Sequence, residues 1–205
     1  LTRTLSKDIF RKVDDRRTVR LTDPRALRAL AHPTRLRLVG LLRREGPLTA
    51  TQAGALIGEV PASASFHLRQ LAKYGLVEEA AGGRGRERPW QATAMFTSWS
   101  AAGGSPDLAI ADQMLTAVVA ERYAEQLQAW LAAKPGEPVE WQEAAGLGDV
   151  LLYVTADELK QISEGLDDLL RPYLDRVGDR SKRPDGARLV SFIRMALPTD
   201  EPDAR

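Results

Sequence analysis

The residues best equipped for chemistry lie between positions 49 and 88 of this 205-residue chain, and their chemistry is that of recognition. At about 100° per residue, a helix over 61–74 turns Ala64, Leu68 and Leu71 to one side. Ala62, Ser63, Phe66, Arg69, Gln70 and Lys73 fall on the other side. That outer face carries a hydroxyl, an amide, a guanidinium and an ammonium, groups that read base edges or grip phosphates. Arginine pairs with guanine and glutamine with adenine where geometry allows. Phe66 is open to two readings, contact with a thymine methyl or packing on a neighbour. Ser65 and His67 flank the inward side. Ser65 is placed to reach phosphate, and His67 is either a packed, hydrogen-bonded histidine or a phosphate contact. Thr49 and Thr51 sit at a helix N-terminus, where free amides and the helix dipole favour a phosphate. Arg84, Arg86 and Arg88 share a glycine-rich stretch with one acid, Glu87. Arginine suits a narrow, negative minor groove, and a solvated basic loop is the alternative. Arg35 and Arg37 either grip a nucleic-acid backbone or pair with acids in the core.

The elements that must position these groups follow from capping and periodicity. Leu5, Ile9 and Val13 form a single apolar stripe on a charged arm at residues 1–19. Thr18–Leu21 is a short extended segment. Asp23-Pro24 opens one helix and His32-Pro33 a second, which Gly46-Pro47 ends. Thr49 and Gln52 match a capping box, and residues 58–61 are a turn before the helix at 61–74, which stops at Gly75. Residues 76–80 and 88–93 read as two strands joined by a glycine-rich tip. Three helices, a turn, a further helix and a hairpin in this order make a winged helix-turn-helix over residues 20–95.

Residues 96–105 read as a linker and 198–205 as a tail. Between them, residues 106–197 form an α+β region for dimerisation and effector binding. It has a long helix from Ser105-Pro106 to about Ala133, a strand at 149–154, a capping box at Thr155–Glu158 and an amphipathic helix to Val177. Pro172 is expected to kink or break that helix, and a strand follows at 187–197. The fold class expected is mainly α with small β.

Three blocks carry a family resemblance: DPRALRALAHPTRLRLVGLL at 23–42, LTATQAGALIG at 48–58 and SFHLRQLAKYGLVE at 65–78. Together they resemble the ArsR-type family of bacterial transcriptional regulators. In that family Ser-x-His-Leu-x-x-Leu followed by Gly-Leu-Val marks the recognition helix and first wing strand, here Ser65 to Leu71 and Gly75 to Val77. The resemblance covers about residues 20–95. It implies a dimeric DNA-binding regulator, often controlled by a metal or a small ligand.

Composition narrows the choice. Residues 1–95 carry 18 Lys+Arg against 9 Asp+Glu, a net +9, while residues 96–205 carry 11 against 19, a net −8. A basic half suits a polyanion and an acidic half another task, with chance and solvated faces as the alternative. The chain has no cysteine, and His32 and His67 both lie outside the 106–133 helix. The acids there (Asp112, Glu121, Glu125) make a poor site for metals that prefer nitrogen or sulfur, so no metal or other cofactor is expected. No run approaches a membrane span, and no signal peptide, P-loop or GxSxG is visible. The expectation is a cytoplasmic, non-enzymatic homodimer, a repressor binding double-stranded DNA and open to a small-molecule effector. Leu115, Val118, Val119 and Arg122 are its expected dimer interface. The rivals are a winged-helix protein-interaction module without DNA readout and an enzyme with a vestigial winged helix. Adding zinc or a chelator is expected to leave duplex affinity unchanged in a mobility-shift titration. A large chelator effect would expose a carboxylate-rich site.

Overall fold

The computed structural model describes residues 18–82 and 87–199. The stripe of Leu5, Ile9 and Val13, the wing-tip residues Arg84 and Arg86, and the tail beyond 199 lie outside the described residues. The fold is mostly helical with two small sheets. Strand β1 (Thr18–Leu21) leads into helix α1 (Pro24–Leu30). The Asp23 carboxylate caps α1 by accepting the Arg25 amide at 2.8 Å, and Pro24 has no amide left unpaired. Helix α2 (Pro33–Glu45) is capped by His32, whose Nδ1 accepts the Thr34 amide at 3.2 Å. Helices α3 (Ala50–Ile57) and α4 (Pro61–Ala72) follow.

Strands β2 (Val77–Glu79) and β3 (Trp90–Ala92) pair antiparallel, with Val77 opposite Ala92 and Glu79 opposite Trp90. Leu48 exchanges backbone hydrogen bonds of 2.9 and 2.7 Å with Trp90, which ties the hairpin base to the start of α3. Strand β4 (Phe96–Trp99) runs parallel to β1, with Thr18 opposite Phe96 and Leu21 opposite Trp99. The stretch expected as a linker at 96–105 therefore begins with a strand. Its partner lies at the other end of the winged helix, where local composition gives no sign of it.

Helix α5 (Pro106–Ala133) is the longest element, followed by a short α6 (Val139–Ala144) and by α7 (Ala156–Gly178). The core joins Leu27 and Leu30 of α1, Leu38 and Leu42 of α2, and Leu68 and Leu71 of α4 to Ala111 and Leu115 of α5. The first half of α5 thus completes the winged-helix core, and the Arg28–Asp107 ion pair fastens it to α1. Leu115 is fully buried within the chain, and Val118 and Val119 pack against the same core. Arg122 lies over Gly40 of α2. All four residues expected at a dimer interface thus turn toward their own chain. The drift of apolar positions around α5 reflects this intrachain packing, and it leaves Ile110, Met114 and Leu131 exposed.

The strands expected at 149–154 and 187–197 do not form, and both stretches run outside any ladder. Their apolar residues, Leu151, Tyr153, Leu189 and Phe192 among them, are exposed. Alternation reveals a face suited to a sheet but not whether a neighbouring strand is there to pair with it. The C-terminal region is therefore helical with extended stretches, held by Arg194 on the buried Asp167 at 2.8 Å and by Arg188 on Glu137 at 2.6 Å. Arg188 also stacks over the Trp141 ring of α6, 4.8 Å from its centroid. Helix α7 continues through Pro172 without a break. Its Thr155–Glu158 capping box forms as expected.

Leu68 is wholly enclosed where α4 meets the core, so Leu68→Ala is expected to cost about 2–5 kcal/mol by lost burial and the cavity left behind. Urea unfolding measures this, and a cost below about 1 kcal/mol would contradict the packing assigned to α4.

Candidate nucleic-acid interface

The site is built on the crossing of α3 and α4. A Cβ at Gly54 would lie 2.7 Å from the Glu59 carbonyl oxygen and 3.4 Å from the Ala64 Cβ, so only glycine allows this approach. The chain then reverses at Gly58, whose φ of 73° places it in the left-handed region. The Glu59 carboxylate knits the turn together. It accepts hydrogen bonds from Ser63 Oγ at 2.9 Å and Thr34 Oγ1 at 3.1 Å, and Arg37 lies 3.6 Å away. Those two hydroxyl donors, helped by Arg37, hold Glu59 below the usual carboxylate range. Glu59 was not legible as an organiser from its sequence position. The signal available was its spacing of four residues from Ser63.

The Thr49 hydroxyl accepts the Gln52 amide at 3.2 Å, and Gln52 returns a carbonyl to the Thr49 amide at 2.9 Å, so the capping box at the start of α3 is complete. On α4, Ala64, Leu68 and Leu71 are buried while Phe66, Arg69 and Lys73 are exposed, as the helical wheel requires. Between the start of α3, the exposed side of α4 and the hairpin runs a groove of about 700 Å³. Thr49, Thr51, Ser65, Arg69 and Arg88 all line it, together with Gln52 and Trp90, which the sequence reading did not single out as site residues. Arg69 donates to Ser65 Oγ at 3.0 Å, one turn back along α4. Glu79 and Glu87 also face the groove, and Arg88 lies 3.6 Å from Glu79.

The other expected site residues are placed differently. Ser63 is turned to Glu59 within the helix-turn-helix. Gln70 is half-buried, and Lys73 sits over the Tyr74 ring at 5.7 Å. Phe66 is 52% exposed yet meets His67 edge-on, with ring centroids 5.3 Å apart, so it packs on a neighbour while keeping an open face. His67 stacks at a tilt on His32, centroids 4.6 Å apart, and its buried Nδ1 has no hydrogen-bond partner. It is therefore a packed histidine without the hydrogen bond expected of one. Among the described residues no cluster of His, Asp and Glu is arranged to hold a metal ion, and no helix is long and apolar enough to cross a membrane.

A family model described as a helix-turn-helix domain matches residues 30–80, from the end of α1 through β2. Residues 30–80 are thus a helix-turn-helix domain, and the match ends before β3. No curated protein matches the chain.

Burial pushes both histidines below their ordinary value, and the Arg35 charge pushes the same way. The unfolded chain takes up these protons first as pH falls through about 6.5. Stability from the neutral pair is present above that pH and is lost on acidification through the folded-state values. His32→Asn keeps a capping acceptor and removes one titrating ring. The urea midpoint is expected to fall less between pH 7.5 and 5.5 in this variant than in the parent protein. Equal falls would contradict a role for the histidine pair.

Proposed function

We propose that the winged helix reads duplex DNA and that the protein is a sequence-specific transcriptional regulator of the ArsR type, a homodimeric repressor. One observation carries the reading. Within a helix-turn-helix domain, a single groove is lined by Thr49 and Thr51 at one helix start, Ser65 and Arg69 on the next helix, and Arg88 at the hairpin. Phosphates and base edges need this mixture of hydroxyl, amide-rich helix end and guanidinium. Helix α4 enters the major groove, and the hairpin at 81–88 lies on the backbone or in the minor groove. No enzymatic role is proposed.

The second copy docks along α5. Its outward positions Ile110, Met114, Ala117, Glu121, Ala124, Gln128 and Leu131 are all exposed and recur at alternating steps of four and three. Such a stripe suits a helix-to-helix seam. A two-fold pair would set two α4 helices about 34 Å apart, one DNA turn, and call for an inverted repeat. Glu79 and Glu87 in the groove favour the rival reading, a protein-interaction module whose partner offers basic groups.

Selection of bound duplexes from a random pool separates the two readings. The expected product is an inverted-repeat motif. Arg69→Ala should relax preference at one position of each half-site, at a cost of about 1–3 kcal/mol. Arg88→Ala should weaken all sequences evenly. A pool that gains no motif, or an Arg69 variant that selects the same one, overturns the assignment.

A further inference from the structure

A second cavity, of about 580 Å³, opens between α2, the last turn of α3, α5, the end of α7 and residues 189–191. Its size is that of a small-ligand site, roughly 300–1,000 Å³. Arg37, Arg43, Arg44 and Arg122 line it, and among the described residues no acidic side chain does. Arg37 is matched by Glu59 at 3.6 Å and Arg44 by Glu45 at 2.7 Å. Arg43 and Arg122 are not matched. Among the described residues Arg43 donates only to neutral acceptors, the Ala94 carbonyl at 2.9 Å and Thr97 Oγ1 at 2.6 Å. Arg122 has no hydrogen bond or ion pair with any described residue. Its guanidinium lies against α2 at Gly40, where a Cβ would come 3.3 Å from Nη2.

Two neighbouring cations with no acid between them repel each other and have lost part of their hydration, a cost that an anion between them removes. Burial, and after it the charge of Arg122, pushes Arg43 down to about 10. Gln126 and Ser191 add a polar edge, Ser191 Oγ donating to Gln126 Oε1 at 3.3 Å, and most of the remaining lining is apolar. Leu56 and Ile57 come from α3 and Leu189 and Val190 from the C-terminal segment, and Leu56 and Leu189 remain 61% and 66% exposed.

We propose that this cleft binds a small amphipathic organic anion, its carboxylate held between Arg43 and Arg122 and its apolar body covering Leu56, Ile57, Leu189 and Val190. The site stands whether or not the opposite face reads DNA. Its position has a consequence all the same. Leu56 and Ile57 end the helix whose start carries Thr49 and Thr51, so an occupant touches the DNA-facing helix from its far end, about 12 Å away at 1.5 Å per residue.

The test is calorimetric titration of the full chain, without DNA, using decanoate. Decanol serves as the uncharged arm and inorganic phosphate as the arm without an apolar body. Decanoate is expected to bind more tightly than either. Arg122→Gln should weaken it at least about ten-fold through loss of a charge-assisted contact. Leu189→Asp changes an exposed residue, so it should keep the parent's circular dichroism while also weakening decanoate. Decanoate affinity unchanged in both variants, decanol or phosphate binding as tightly as decanoate, or no decanoate binding up to about 1 mM overturns the site.

Discussion

The groove between α3, α4 and the hairpin depends on how closely α3 and α4 approach at Gly54. The helices meet with the Glu59 carbonyl and Ala64 Cβ where a side chain at residue 54 would be. That contact fixes the start of α3 against the exposed side of α4 and so decides that Thr49, Thr51, Ser65 and Arg69 share one groove. The Glu59 carboxylate then locks the turn to α2 through Thr34, which ties the pair to the core. A larger residue at 54 would separate the helices and disperse the groove without touching any of its lining residues.

The core that supports this crossing does not stop at the wing. Ala111 and Leu115 extend it into α5, and β4 returns to pair with β1. The long helix is therefore the last piece of the winged helix on its inner side and carries an exposed stripe on its outer side. Its inner side also carries Arg122 to α2, beside Arg43. The groove residues Thr49 and Thr51 at the start of α3 and the cleft residues Leu56 and Ile57 at its end are thus carried by one short helix.

Much of this was legible in the residues because caps and helical faces are local. Asp23-Pro24, the Thr49 and Thr155 capping boxes and the split of α4 into a Leu68 side and an Arg69 side need only neighbours within a turn or two. What failed was non-local. The expected strands at 149–154 and 187–197 have the pattern of strands without a partner to pair with, and β4 was missed because its partner lies at the start of the described chain. On α5, periodicity gives a face but not what the face meets, and Leu115 meets the core of its own chain. His67 meets His32 at the cap of α2, and Glu59 reaches Thr34 of α2 as well as Ser63, and the contacts to the α2 end are not revealed by spacing along α4.

The central claim is that the basic winged helix meets duplex DNA through its phosphates, and the salt dependence of binding tests it most directly. If a dimer covers about 6–10 phosphates, log affinity plotted against log salt should fall with a slope of roughly −5 to −9. A flat plot, or no duplex binding at low salt, would contradict it.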